Sequence, residues 1–111
     1  MISRVAVLGF GSSGQRLVEV VRQSLSHADV MVYSRHATEV PGVQVTSRLE
    51  DVSTFQPQVA VVAGAASDRI SMVRALPDQT MALLIEKPLA VSYESGLELA
   101  RIIRDRRAFC Q

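Results

Sequence analysis

The sequence is poor in cysteine, in aromatic residues and in net charge. Cys110 is the only cysteine, which excludes an intramolecular disulfide and a metal site built from several cysteines. A net charge of +1 gives no sign of a nucleic-acid-binding surface. The apolar runs are far shorter than the roughly 20 residues that cross a bilayer, and the N-terminus lacks a signal-peptide pattern. We therefore expect a cytoplasmic protein without a metal site, a membrane contact or a nucleic-acid partner.

Short apolar runs alternate with segments of helical periodicity along the 111 residues. Continuous or alternating apolar residues predict strands at 2–8, 29–33, 43–45, 58–63 and 81–85. Helical spacing predicts helices at 14–25, 67–76 and from 92 onward, with a short helix or turn at 49–55. This alternation predicts an α/β fold with a doubly wound parallel sheet, covered on both faces in three layers. Residues 1–111 are expected to form a single domain.

Two helix starts and one helix face can be predicted in more detail. Ser67 or Asp68 is the expected N-cap of the helix after the fourth strand, and Ser92 is the expected N-cap of the last helix. In the last helix, the inward stripe is predicted to be Leu99, Ala100 and Ile103. Its basic residues are interpreted as a solvated face with a C-terminal cation cluster, rather than an anion site: Arg101, Arg104, Arg106 and Arg107.

The first strand ends in a Gly-x-Gly-x-x-Gly motif, and a helix begins at once. In this setting Gly9 is predicted to make the tight turn, Gly11 to let the backbone approach a pyrophosphate, and Gly14 to let the helix pack on the strand. The phosphates would lie over free N–H groups at the helix N-terminus. The intervening residues of this predicted phosphate site are Phe10, Ser12 and Ser13. By itself the motif is weak, and its place between a strand and a helix makes a dinucleotide site the preferred interpretation.

About 20 residues after the glycines, dinucleotide folds place the residue that contacts the adenosine ribose. Here that position holds Ser34, Arg35 and His36, without a carboxylate that would accept from the 2′-hydroxyl and repel a 2′-phosphate. Because a guanidinium binds phosphate oxygens through charge-assisted hydrogen bonds, we predict NADP in preference to NAD. The alternatives are that Arg35 is a solvated loop residue and that His36 is a loop histidine without a role.

The fifth strand ends directly on Glu86, Lys87 and Pro88, which places these residues at the carboxyl edge of the sheet. Ligands of open α/β folds bind outside that edge. A partly desolvated lysine there could hydrogen-bond a substrate hydroxyl or stabilise an alkoxide. Equally, Lys87 could pair with a nearby acid while Pro88 simply ends the strand.

The segments 9–14 and 85–90 together resemble the Gfo/Idh/MocA oxidoreductases, relatives of glucose-fructose oxidoreductase and inositol dehydrogenase. The resemblance implies an N-terminal Rossmann domain that binds NAD or NADP. It implies that Gly9–Gly14 holds the pyrophosphate, that Ser34 and Arg35 lie at the ribose, and that Glu86 to Pro88 lie near the nicotinamide. The loop implied to pass near the cofactor consists of Ala63, Gly64 and Ala65. Lys87 matches the family's active-site lysine.

This sequence differs from the family pattern in two ways, and these differences leave more than one functional hypothesis open. In place of the Thr-Pro and His that usually follow the fourth strand in the family, this sequence has Gly64, Ala65 and Arg69. These 111 residues are also expected not to include the family's substrate domain, which supplies the general base. The sixth strand is expected to begin about where the sequence ends, which would leave an open sheet edge. The first hypothesis is the cofactor domain of an NAD(P)-dependent oxidoreductase acting on a sugar or polyol hydroxyl, incomplete for catalysis by itself. The alternatives are a non-catalytic dinucleotide-binding or regulatory module, and a structural partner. The open edge predicts a homo-oligomer or a partner chain.

Overall fold

A computed structural model describes residues 2–36, 39–86, 92–106 and 109–110, which form one sheet flanked by helices. The strands are β1 (Arg4–Leu8), β2 (Asp29–Tyr33), β3 (Gln44–Thr46), β4 (Val59–Val62), β5 (Ala82–Ile85) and β6 (Phe109–Cys110). The helices are α1 (Ser12–Ser24), α2 (Leu49–Phe55), α3 (Arg69–Arg74) and α4 (Tyr93–Arg106), with a 3₁₀ turn at Ala66–Asp68 before α3. Every strand and helix predicted from periodicity is therefore present, with ends that differ by a few residues.

The sheet is parallel throughout, with strand order β3-β2-β1-β4-β5-β6. On β1, Val7 lies between Val32 of β2 and Val61 of β4. The chain runs outward from β1 to β3 and then returns to the other side of β1 as β4. This reversal confirms the doubly wound Rossmann topology, and it lies between β1 and β4, where folds of this kind bind ligands at the carboxyl ends of the strands.

Two apolar clusters lie on opposite faces of the sheet, which gives the predicted three layers. On one face, strand residues pack against α2, α3 and α4 through Val52, Val73 and Leu99, all fully buried. On the other face, α1 packs through Val18 against a second set of strand valines that includes Val7. The continuous apolar runs of the strands are explained by this burial on both faces.

Among the residues that the structure describes, the apolar cover on the α1 face leaves part of β5 exposed. Leu83 is buried in the cluster beneath α3 and α4, whereas its neighbour Leu84, which points the opposite way, is 37% exposed. Within the described ranges, α1 is the one helix on that face, and the strand residues in or against its apolar cluster belong to β1, β2, β3 and β4. The prediction of a sheet covered by helices on both faces is confirmed, and among the described residues Leu84 of β5 is left partly exposed on the α1 face.

The edge of β5 is not left without a neighbour. β6 pairs with it in parallel, Phe109 opposite Ala82 and Cys110 opposite Leu83. The crossover through α4 returns the chain to the far side of β5, so a sixth strand begins where the sequence predicted its place. The prediction of a missing sixth strand is corrected to a strand of two residues.

The last helix shows one confirmed cap and one wrong face residue. Ser92 accepts a hydrogen bond on Oγ from the backbone N–H of Ser95 at 3.1 Å, which is the predicted N-cap interaction. Leu99 points inward as predicted, but Ala100 is exposed, and Ile102 packs against the core instead. Ile102 lies three residues after Leu99 and shares its stripe, whereas Ala100 lies about 100° around the helix.

Arg106 also departs from the solvated face predicted for it. Its Nη2 group donates to the backbone carbonyl of Pro77 at 2.6 Å and to that of Leu76. The side chain is therefore half-buried and joins the end of α4 to the segment between α3 and β5. Arg101 and Arg104 are exposed as predicted, and Arg107 lies outside the described residues.

Candidate cofactor site

The turn between β1 and α1 has a conformation that favours glycine at its first position. Gly9 has a φ of +107°, and a Cβ built there would overlap the backbone N and Cα of Gly64 and lie 2.8 Å from the carbonyl carbon of Ala63. Its N–H donates to the carbonyl of Tyr33 at 2.8 Å. Gly9 therefore makes the predicted tight turn and holds the ends of β1, β2 and β4 close together.

The other two glycines of the motif face different surroundings. A Cβ at Gly14 would overlap the carbonyl oxygen of Gly9, so this position needs glycine for α1 to pack against the turn, as predicted. A Cβ at Gly11 would meet no atom within 4 Å among the described residues. The space beside Gly11 is thus open among the described residues, so a group bound there would not meet a neighbouring side chain.

The N-terminus of α1 is free to bind an anion. Gly11 occupies the N-cap position, where within the described ranges no side chain caps the helix, and the first turn carries no acidic residue. Helix N-termini leave backbone N–H donors unpaired and carry a partial positive charge. Ser12 is exposed and Ser13 half-buried, so hydroxyl donors also lie at this end. The residues present suit the diphosphate of a dinucleotide.

The end of β2 combines one buried and two exposed polar residues. Ser34 is 8% exposed, and its N–H donates to the carbonyl of Thr46 at 2.9 Å. Its Oγ accepts from the backbone N–H of His36 at 3.2 Å, which turns the chain after the strand. The side chains of Arg35 and His36 are exposed at the crevice.

Arg35 forms an ion pair that the sequence did not predict. Its Nη2 lies 3.3 Å from Oδ1 of Asp68, and the two side chains are 63% and 31% exposed. Hydrogen bonding with the Tyr33 side chain and then the charge of Asp68 raise the pKa of Arg35 above its ordinary value. Asp68 does occupy the N-cap position of α3, but its carboxylate makes no capping hydrogen bond. Of the two residues predicted as the N-cap, Asp68 is therefore confirmed in position, while its carboxylate pairs with Arg35 and not with the helix N-terminus.

These elements enclose a crevice of about 720 Å³ at the carboxyl ends of β1, β2 and β4. Nine predicted site residues line it: Gly9, Phe10, Gly11, Ser34, Arg35, His36, Ala63, Gly64 and Ala65. Sequence reasoning missed four further lining residues: Gln15, Tyr33, Asp68 and Met72. Gln15 and Tyr33 directly follow or precede predicted site residues, so adjacency was a usable signal, whereas Asp68 and Met72 arrive through tertiary packing. Ser12, Ser13 and Gly14 lie at the start of α1 beside this crevice.

The loop after β4 is fastened by a buried arginine. Arg69 is 3% exposed, and its Nε and Nη2 donate to the carbonyl of Gly64 at 3.3 and 3.1 Å. Its Nη1 donates to the backbone carbonyl of Glu86, at the end of β5. Burial lowers the pKa of Arg69, and the charge of Glu86 opposes that shift. The sequence marked Arg69 only as a departure from the family's usual histidine.

The remaining predicted site residues divide into one described residue and two that are not. Glu86 is half-buried, and its N–H donates to the carbonyl of Val62 at 3.0 Å, which continues the β4–β5 ladder beyond the strand. Lys87 and Pro88 lie outside the described residues. The described part of the chain contains no cluster of three metal-ligating side chains. No helix within it is long and apolar enough to span a membrane.

The profile of the oxidoreductase family with an NAD-binding Rossmann fold matches residues 3–111. The chain belongs to the Gfo/Idh/MocA family. It is the family's N-terminal Rossmann domain, as the resemblance of the two motifs predicted. No curated protein sequence matches the chain of this Gfo/Idh/MocA domain.

Solved structures of several dehydrogenases and reductases share this fold. The myo-inositol 2-dehydrogenase of Lactobacillus plantarum superposes with a TM-score of 0.82 at 15% identity, over 100% of this chain and 36% of that chain. A WlbA dehydrogenase from Chromobacterium violaceum, in complex with NADH and UDP-GlcNAcA, gives 0.79 at 16% identity over 98% and 34%. Biliverdin reductase of Synechocystis sp. PCC 6803, with biliverdin and NADP+, gives 0.75 at 19% over 96% and 36%. The Gfo/Idh/MocA domain thus spans about a third of the length of these relatives.

Proposed function

We propose that this domain binds NADP, with the pyrophosphate over the N-terminus of α1. The observation that carries the proposal is the open space above Gly11 beside an uncapped helix end. Unpaired N–H donors and the helix dipole favour a phosphate at that place. The adjoining crevice is large enough for a nucleotide and lies at the reversal of strand order.

The adenosine end of NADP is assigned to Ser34, Arg35 and His36. Arg35 is exposed and positively charged beside the crevice, and no carboxylate occupies the three positions that follow β2. A guanidinium favours a 2′-phosphate, whereas a carboxylate there would favour the 2′-hydroxyl of NAD. Among the structural relatives one holds NADH and another NADP+, so the preference rests on Arg35 itself.

The nicotinamide end is assigned to the loop Ala63–Gly64–Ala65 and to Glu86, Lys87 and Pro88. The loop lines the crevice, and Glu86 is joined to that loop through Arg69. Lys87 follows Glu86 directly and corresponds to the active-site lysine of the family. It is proposed as the catalytic residue that orients the reacting hydroxyl and the cofactor.

For the complete protein we propose hydride transfer between the nicotinamide and a carbon that bears a hydroxyl, on a sugar or polyol. Support comes from the relatives, which include inositol dehydrogenases and a dehydrogenase bound to UDP-GlcNAcA. This domain supplies the cofactor site and Lys87. The base and the substrate wall belong to the part of the family's length that this chain does not span, so we propose that residues 1–111 are a single domain that does not catalyse the reaction alone.

A homo-oligomer or a partner chain is proposed to cover the β5 side of the sheet. Leu84 is 37% exposed there, and the two described residues of β6 pair with the first two residues of β5. Apolar surface next to incompletely paired backbone favours association. Sedimentation analysis of the chain and of Leu84→Glu tests the homo-oligomer: the substitution is expected to shift the chain to the monomer, and a monomeric unsubstituted chain contradicts the homo-oligomer and leaves the partner chain.

The cofactor proposal is tested by titrating the chain with NADPH and NADH and measuring each dissociation constant by calorimetry. We expect both to bind and NADPH to bind more tightly. Equal affinities would contradict the NADP preference, and binding of neither would contradict the cofactor site. A turnover assay with sugars and polyols, in the presence of NADP+, separates a domain that is catalytic alone from one that only binds.

A further inference from the structure

Arg69 is a buried cation whose guanidinium spans two strand ends. Three of its nitrogens donate to two backbone carbonyls, those of Gly64 after β4 and Glu86 after β5. The residue is 3% exposed and does not line the crevice. An arginine so enclosed is not available to a phosphate or a substrate carboxylate, so its effect on a ligand must pass through the backbone that it holds.

Holding a charge at this depth is costly, and the fold must compensate for it. Burial disfavours the charged guanidinium, and only well-formed hydrogen bonds and a nearby negative charge offset that cost. Both are present, since two carbonyls accept from Arg69 and the charge of Glu86 favours the cation. An apolar residue would fill the same space without this cost, but it would leave the carbonyls of Gly64 and Glu86 without this donor.

The two carbonyls belong to the segments assigned to the nicotinamide end. The backbone of Gly64 is in direct contact with Gly9, so the loop after β4 is fixed against the turn after β1. Glu86 is held to β4 by its N–H bond to Val62 and to the loop by Arg69. Arg69 thereby connects the carboxyl ends of β1, β4 and β5.

We propose that Arg69 is a positioning residue that sets the spacing between the loop Ala63–Ala65 and Glu86, and with it the nicotinamide half of the site. The inference rests on the proposed cofactor function. It assigns no role to Arg69 at the adenosine half, where Arg35 and the turn after β2 lie. Replacing Arg69 should therefore weaken the binding of the nicotinamide half of the cofactor and leave the binding of the adenosine half nearly unchanged.

The test compares the whole cofactor with a fragment that lacks nicotinamide. Arg69→Met and Arg69→Lys are titrated with NADPH and with 2′-phospho-ADP-ribose, and the increase in nicotinamide fluorescence on binding is recorded. NADH and ADP-ribose form a second pair that does not depend on the 2′-phosphate. Arg74→Met is the matched control, because Arg74 is an exposed arginine on the same helix that pairs with Glu98 at 2.9 Å.

We expect Arg69→Met to lower the affinity for NADPH by about tenfold and to reduce the fluorescence increase on binding. Its affinity for 2′-phospho-ADP-ribose should stay within about twofold of that of the unsubstituted chain. Arg69→Lys keeps the charge but loses the planar fork that reaches both carbonyls. It should therefore also lose affinity for NADPH and not for 2′-phospho-ADP-ribose, but the loss should be smaller than in Arg69→Met. Equal losses for cofactor and fragment would show a purely structural role and overturn the proposal, as would no loss at all. If the unsubstituted chain binds neither, the proposed function fails instead.

A measurement on the unsubstituted chain tests the proposal even if both variants fail to fold. The Nε–H proton of Arg69 is expected to exchange slowly with solvent and to give a resolved signal in a ¹⁵N correlation spectrum. Its shift should change on addition of NADPH and remain in place on addition of 2′-phospho-ADP-ribose. The same change with both ligands, or with neither, contradicts the proposal.

Discussion

Arg35 and Asp68 form an ion pair across the crevice, 3.3 Å between Nη2 and Oδ1. One residue follows β2 and the other precedes α3, and both line the cavity. The pair places a carboxylate next to the guanidinium that is proposed to bind a 2′-phosphate. Asp68 therefore offsets part of the charge of Arg35 and would lie close to a second negative group. The preference for NADP over NAD should depend on both residues.

Replacing Arg35 should remove the distinction between the two cofactors. We expect Arg35→Ala to lower the affinity for NADPH by about 10- to 100-fold, which is the size of effect expected when hydrogen bonds to a charged phosphate are lost. The affinity for NADH should change little, since NADH has no 2′-phosphate. Calorimetric titration measures both values, with Arg48→Ala as the control, because Arg48 is similarly exposed and pairs with a carboxylate outside the crevice. A loss shared equally by NADH would show that Arg35 does not read the 2′-phosphate.

Replacing Asp68 should have the opposite effect. Asp68→Asn removes the carboxylate and frees the guanidinium, so NADPH should bind about three- to tenfold more tightly. Because Arg35 is exposed and Asp68 is only half-buried, the gain should shrink in 0.5 M salt, which screens such charges, and stability should change by less than about 1 kcal/mol. If NADPH instead binds more weakly to Asp68→Asn, the carboxylate serves to hold Arg35 in its binding position, and the electrostatic argument is wrong.

The glycines of the turn should separate binding from folding. Gly11→Val projects into open space, so the chain should fold with a cost of about 1 kcal/mol at the helix cap, yet lose dinucleotide binding. In Gly9→Ala the added Cβ lies on a residue with positive φ and overlaps the backbone of Gly64, so this variant should lose more stability than Gly11→Val. Urea unfolding and NADPH titration of the two variants measure these effects. A Gly11→Val chain that folds and still binds would place the dinucleotide elsewhere.

The sheet and the glycine turn after β1 could be predicted from the sequence because local rules determine them. A strand buried on both faces needs a continuous apolar run, as in Val5–Leu8, and the turn needs glycine where φ is positive, as at Gly9. Ser34 and Arg35 could be located because the length of one helix and one strand fixes their distance from the glycines. In each case the signal lies within one strand–helix–strand unit.

The contacts of long polar side chains could not be predicted in the same way. Arg69 and Arg106 look like ordinary helix-surface residues in the sequence, yet each donates to carbonyls that only the folded chain brings near. Asp68 occupies a capping position, but Arg35, 33 residues away, competes for its carboxylate. These hydrogen bonds depend on which donors and acceptors the tertiary structure brings together, and the spacing of residues along the sequence does not determine that.

Arg106 offers a test of this last point through stability. Its Nη2 donates to the carbonyls of Leu76 and Pro77, which fastens the end of α4 to the segment before β5. We expect Arg106→Met, which keeps the apolar stem, to lower the free energy of unfolding by about 1.5–3 kcal/mol. Arg104→Met is the matched control, since Arg104 is 75% exposed and pairs only with its neighbour Asp105 among the described residues, and it should change stability by less than about 0.5 kcal/mol. Urea unfolding followed by circular dichroism measures both. Equal stabilities of the two variants would mean that Arg106 is solvated in solution, as its sequence context alone suggests, and that α4 is held by Leu99 and its apolar neighbours without it.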